Sequence, residues 1–121
     1  MKAILRSVVG IDVELSGYVS DNPENDAVWV RMMVGAVGAE GEESFDLLIC
    51  TGSWLRDAAA SEGPQIGRHH LVVEPLNLEV ALAFLADAVA GVQGDDWNEI
   101  GDKLSRIGKW EFEDYKPARE S

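Results

Sequence analysis

The chain has 121 residues, 46% of them apolar, with 22 acidic against 10 basic side chains and a net charge of -12. That length suits one domain and that apolar share can fill a core, which excludes disorder for most of the chain. The charge works against binding bare nucleic acid or an anionic membrane surface, and favours a basic partner or simple solubility.

Cys50 is the single cysteine, so no internal disulfide forms, which suits a reducing compartment. The opening does not read as a signal peptide: Lys2 is followed by three uncharged residues before Arg6, and Asp12 and Glu14 come soon after. No run approaches the ~20 apolar residues of a membrane helix. The expected location is cytoplasmic. One domain over residues 1–116, with a tail over 117–121, is the expected organisation.

In chain order, Ala3 to Val9 is β-rich and reads as a strand. Asp21-Asn22-Pro23-Glu24-Asn25-Asp26 is a loop by its Pro, Asn and Asp content. Val28 to Val34 reads as the next strand, and Gly35, Gly38 and Gly41 with Glu40, Glu42 and Glu43 as the loop after it. Phe45, Leu47 and Ile49 alternate with Asp46, Leu48 and Cys50, a strand with one clearly apolar face. The two strands should pair as a hairpin. Ser53 to Ser61 reads as a short helix ended by Gly63-Pro64, and Arg68 to Glu74 as another strand.

Asn77 is a good N-cap. In the helix after it, Leu78, Ala81, Leu82, Leu85, Val89 and Val92 follow the 3.6-residue period, and only Glu79 and Asp87 interrupt its apolar character. Asp95 to Ile107 predicts a further helix with Trp97, Ile100, Leu104 and Ile107 in one stripe. Glu99–Lys103 and Asp102–Arg106 are its i,i+4 pairs, each contributing ~0.2–0.5 kcal/mol, and Gly108 is its expected left-handed terminator. Lys109 to Tyr115 alternates again as a last strand. The order β-β-β-α-β-α-α-β predicts an α+β fold: a mostly antiparallel or mixed sheet of about five strands with two to three helices packed on one face.

Residues that carry chemistry are few. His69 and His70, the only histidines, are adjacent on a predicted strand and point to opposite faces, so they cannot chelate one metal together. Cys50 ends an apolar strand, where a free cysteine behaves as a small core residue. Gly35, Gly38 and Gly41 match no dinucleotide fingerprint, and no phosphate-loop lysine motif is present. The Asp21–Asp26 loop lacks the calcium-loop pattern. No catalytic residue, metal ligand or cofactor is expected. Of the four tryptophans, Trp54, Trp97 and Trp110 open or flank predicted elements, as packing residues do. Trp29 shares a strand face with Arg31 and Met33, which is either the second side of the sheet or a binding surface.

The last third carries a recognisable pattern. Gly94-Asp95-Asp96-Trp97, continued by Leu104-Ser105-Arg106-Ile107-Gly108-Lys109-Trp110-Glu111-Phe112-Glu113-Asp114-Tyr115, resembles the end of the immunity protein 8 family. Glu42-Glu43-Ser44-Phe45-Asp46-Leu47-Leu48-Ile49-Cys50-Thr51 with Trp54-Leu55 is similar to that family's middle, and Gly67-Arg68-His69-His70 fits as well. The resemblance implies an α+β protein of a bacterial polymorphic toxin system, which binds and neutralises a cognate toxin domain in the producing cell. It carries over no catalytic residue and no toxin-contact residue.

The resemblance and the charge meet in one expectation. Many toxin domains attack nucleic acid and are basic, so carboxylates can occupy the surface that would hold phosphate. The candidate toxin-binding residues are Glu24, Asp26, Glu40, Glu42 and Glu43, with Glu111, Glu113 and Asp114 as a second patch. The alternative reading of the same charge is an acidic interaction or nucleic-acid-mimic module with a basic host partner. A small enzyme using His69 or His70 with carboxylates is the remaining rival. Oligomeric state is open.

Overall fold

Strict alternation in two neighbouring strands builds the centre of the protein. The computed structural model describes residues 1–112. In β2 (Ala27–Ala36), Val28, Val30, Met32 and Val34 are buried, while Trp29 and Arg31 between them are exposed. In β3 (Glu43–Thr51), Phe45, Leu47 and Ile49 occupy the matching positions. The antiparallel register Met32↔Phe45, Val30↔Leu47, Val28↔Ile49 sets all of them on one face. β1 (Ala3–Gly10) pairs antiparallel with the other side of β2, with a bulge between Leu5 and Ser7. That bulge frees Arg6, whose Nη2 donates to the carbonyls of Ala36 at 3.0 Å and Ala39 at 2.6 Å and ties down the β2–β3 turn. Gly35 makes room for it: a Cβ there would come within 2.8 Å of the same guanidinium nitrogen.

After α1 (Gly52–Glu62) the chain returns as β4 (His70–Val73), parallel to β3 along Leu48–Thr51. β5 (Lys109–Trp110) pairs antiparallel with the other end of the same β3 edge, at Phe45↔Trp110 and Asp46↔Lys109. The sheet is therefore mixed, in the order β1-β2-β3-β4 with β5 beside β3. The elements follow the expected order, and the fold is α+β.

Two helices cover the core face. α2 (Leu78–Ala90) is capped by the Asn77 side chain, which accepts from the Val80 N–H, and buries Ala81, Leu85 and Val89 at fourfold spacing. α3 (Trp97–Leu104) buries Ile100 and Leu104. With the inward side chains of β2 and β3 they form one cluster. Full burial of each large aliphatic side chain contributes about 1.5–3 kcal/mol. No residue of α1 belongs to that cluster. Leu48 and Cys50 point to the opposite face and are nonetheless buried, as is Ala58 of α1. α1, leaving β3 through its Thr51 cap and packed on that strand, is the cover there.

Several boundaries differ from the sequence expectation. The helix expected over Asp95–Ile107 shortens to Trp97–Leu104, because the Asp96 carboxylate accepts the Glu99 N–H as an N-cap and the Glu99 carboxylate turns back to the Asp95 N–H. Its C-terminal end is the right-handed Ser105, not a left-handed Gly108. Gly108 is buried against Phe45 instead, where a Cβ would come within 3.0 Å of that side chain. Glu99 and Lys103 pair at 3.0 Å, but Arg106 lies beyond the helix and makes no ion pair with Asp102 among the described residues. The strand expected over Arg68–Glu74 shortens to His70–Val73, so His69 lies in the turn before it and not beside His70 on the strand. The last strand ends at Trp110 and turns at Glu111–Phe112. Glu113, Asp114, Tyr115 and the expected tail lie outside the described residues.

Gly101 faces the Trp110 ring so closely that a Cβ would sit 2.7 Å from Cζ2 and Cζ3. Alanine is the better helix former by about 1 kcal/mol, but both groups are buried and the indole is rigid. Gly101→Ala is expected to lower unfolding stability by a net 1–3 kcal/mol, roughly, read from urea denaturation.

Candidate functional site

The acidic residues separate into structural and free ones. Glu43 opens β3, half-buried, and its Oε1 accepts the indole N–H of Trp97 at 2.6 Å and that of Trp110 at 2.8 Å. Its carboxylate satisfies two donors that the core would otherwise leave unpaired. Asp26 is occupied in the same way: Tyr18 and Ser20 hydroxyls each donate to Oδ2 at 2.6 Å, and the Ala27 N–H to Oδ1 at 2.8 Å. Burial works against its charge, but these hydrogen bonds outweigh it and hold its pKa below the ordinary carboxylate value. The same bond, aided by burial and the Asp26 charge, pushes the Tyr18 phenol up to about 12.

Glu40 and Glu42 are exposed at the β2–β3 turn and make no ion pair among the described residues. With Glu43 and Trp97 they border a cavity of about 370 Å³. Glu111 stands near this end of the sheet, its carboxylate accepting from the Ser44 hydroxyl at 3.2 Å. Glu24 is exposed at the other end, where its backbone carbonyl takes the Ser53 hydroxyl. Asp26 is at that end too, its N–H donating to Thr51 Oγ1. Ser44 and Thr51 lie near the two ends of β3, roughly 23 Å apart at ~3.3 Å per residue. The fold thus gathers Glu40, Glu42, Glu43 and Glu111 and leaves Glu24 and Asp26 apart. Glu113 and Asp114 fall outside the described residues.

The chemically reactive side chains are occupied. The His69 Nε2 lies 2.6 Å from the Ser105 carbonyl and the His70 Nδ1 2.8 Å from that of Gly67, so each ring donates to backbone. Neither ring is fully buried. Cys50 is buried, and that burial pushes its thiol pKa up, away from a nucleophilic thiolate. Among the described residues no three His, Cys, Asp or Glu side chains gather as a metal site. No described helix is long and apolar enough to cross a membrane.

Exposed apolar residues mark two further surfaces. The face opposite the core is the second side of the sheet, and it shows Trp29, Val9 and Ile11, beside an Arg31–Asp46 pair with bonds of 2.8 and 2.9 Å. The hydrogen bonds to Asp46 raise the Arg31 pKa further. The other surface is on α2, where Val80 and Phe84 point to solvent. Sequence reading missed it because α2 is apolar nearly all round. The signal available was the spacing Val80, Phe84, Asp87, a second stripe ending in a charge.

These features define a class: a small acidic α+β protein whose polar core groups are used in packing and whose free groups are surface carboxylates and apolar patches. The family comparison makes it specific. The immunity protein 8 profile matches residues 3–115, and the chain belongs to the immunity protein 8 family. Its partner is accordingly a protein toxin. Comparison with curated proteins and with solved structures gave no match.

Two predictions concern the occupied carboxylates. Glu43→Ala strands both indole donors and is expected to cost about 2–4 kcal/mol, read from chemical denaturation. A loss below about 0.5 kcal/mol would show that water replaces the carboxylate. Asp26 has a folded pKa below its unfolded value of 3.8, so its stabilisation is present above that pH and lost as pH falls through the lower folded value. Asp26→Asn is therefore expected to destabilise the protein at about pH 7, with the gap to the parent narrowing as pH falls below 3.8 in pH-dependent urea titrations.

Proposed function

We propose that this protein binds the cognate toxin domain of a bacterial polymorphic toxin system in the cytoplasm of the producing cell, and blocks it by steric and electrostatic occlusion. The observation that carries the reading is the family match over residues 3–115 of a chain with net charge -12. Glu40 and Glu42, without an ion pair among the described residues, support a basic, nuclease-like partner: they stand on an exposed turn, beside Glu111, where a cationic surface can reach them. Complementary charge of this kind speeds encounter more than it holds the complex, and screening acts over ~8 Å at physiological ionic strength. Glu43 and Asp26 contribute to binding indirectly, through the fold.

The test is calorimetry and stopped-flow association with the C-terminal domain encoded by the upstream neighbour, at low and high salt. One-to-one binding that abolishes toxin activity is expected, with an association rate that falls as salt rises. The double variant Glu40→Lys with Glu42→Lys is expected to slow association by about tenfold at low salt while changing dissociation little. Unchanged association would remove the hairpin carboxylates from the encounter. No binding at either salt would overturn the immunity reading for this toxin pair.

A further inference from the structure

The apolar residues on the outside of α2 border a groove that runs beside β4. Val80 and Phe84, one turn apart on α2, are 62% and 59% exposed, while Val72, in register with Cys50, turns its side chain to the opposite face of the sheet. They border a cavity of about 330 Å³ that runs past every residue from 71 to 75. The groove therefore follows the strand. β4 ends the strand order and bonds to β3 on one side only. Alternate N–H and C=O groups on its outer side have no partner strand among the described residues. No lysine, proline or bulge within His70–Val73 blunts this edge.

The rim of the groove is acidic. Glu74 borders it, and Glu79 and Asp87 flank Val80 and Phe84 along α2. Among the described residues none of the three has an ion pair, unlike Asp46 with Arg31 and Glu99 with Lys103. An apolar trough with a strand edge and a negative rim that are both unpaired among the described residues calls for an extended segment carrying apolar and basic side chains. A second copy of this chain would bring the same carboxylates and another -12 of charge. The described chain after β5, Glu111–Phe112, lies at the hairpin end of β3, where the Glu111 N–H bonds to the Ser44 carbonyl, away from β4.

We propose that an extended, basic segment of the toxin adds to the free edge of β4. An apolar side chain of that segment sits between Val80 and Phe84, and its lysine or arginine residues meet Glu74 and Glu79. This docking mode rests on the immunity reading above and assigns it a surface, separate from the hairpin carboxylates that speed encounter. Main-chain bonds to β4 supply register, and the groove supplies the desolvated anchor that sets the dissociation rate.

The test compares the parent with Val80→Ser and Phe84→Ser, using the C-terminal domain encoded by the upstream neighbour as the probe. Both side chains are largely exposed, so both variants are expected to fold, which far-UV circular dichroism and the urea midpoint check. Each is expected to weaken binding at least about tenfold, mainly through faster dissociation. Val9→Thr, on the open face of the sheet, is expected to stay within about twofold. Hydrogen exchange is expected to slow at the outward amides of residues 71–74 only in the complex. Parent-like binding by both serine variants overturns the docking mode and leaves the immunity reading standing. Protection of these amides in the free protein overturns it too, by showing the edge already covered. So does a dimer of the free protein that Phe84→Ser dissolves. Failure of the parent itself to bind the toxin domain removes the immunity reading, and this inference with it.

Discussion

One carboxylate oxygen joins three parts of the chain that are far apart in sequence. Glu43 at the start of β3 accepts from Trp97, 54 residues on, and from Trp110, 67 residues on. An indole buries a large apolar body but carries one N–H that needs a partner, so a tryptophan-rich core requires acceptors at defined points. Here one acceptor serves two rings. It fixes where α3 begins and where β5 lies. The Trp110 ring then stacks on Phe45 with centroids 6.0 Å apart and leaves space for nothing larger than Gly101 on α3. The hairpin turn beside Glu43 is anchored from its other side by Arg6. Glu40 and Glu42 are thus displayed by a frame built from polar contacts.

The second constraint is that the sheet has two unlike faces. α2 and α3 fill the side formed by Val28, Val30, Met32, Phe45, Leu47 and Ile49. On the other side α1 covers Leu48 and Cys50 and leaves Trp29, Val9 and Ile11 in solvent. α2 is itself two-sided, with Ala81, Leu85 and Val89 inward and Val80 and Phe84 outward. Such apolar surface costs solubility, and a net charge of -12 offsets that cost. The same charge selects what can approach. Surface carboxylates govern the rate of encounter with a basic partner, whereas buried apolar anchors govern how long the partner stays.

The side chains that a sequence search would nominate for chemistry are tied up in the fold. His69 and His70 each donate to a backbone carbonyl, Cys50 is sealed in, and Asp26 is committed to Tyr18 and Ser20. Polar groups that a sequence search would nominate for catalysis are used instead to satisfy loop and helix-end hydrogen bonds.

Local chemistry along the chain was enough for the element order and for much of the packing. Alternation in Val28–Val34 and Phe45–Ile49 predicts the two central strands because side chains on a strand alternate faces whatever surrounds them. Asn77 predicts its helix start because capping involves only neighbouring residues. The tryptophan and glycine pattern of the last third pointed to the family for the same reason: it records which side chains fit together. What lay beyond the sequence was every choice between like residues. Glu40 and Glu43 look alike in the chain, yet only Glu43 meets two indoles, since Trp97 and Trp110 arrive there through tertiary folding. Leu85 and Phe84 are both apolar and adjacent, yet one is buried and the other borders a groove beside β4, because the sheet meets α2 along a single line. The sequence by itself determined the strands, the caps and the acidic, apolar-rich character, all set by near neighbours. Tertiary structure alone decided which carboxylates and which apolar side chains remain free for a partner, because burial depends on contacts between residues many positions apart.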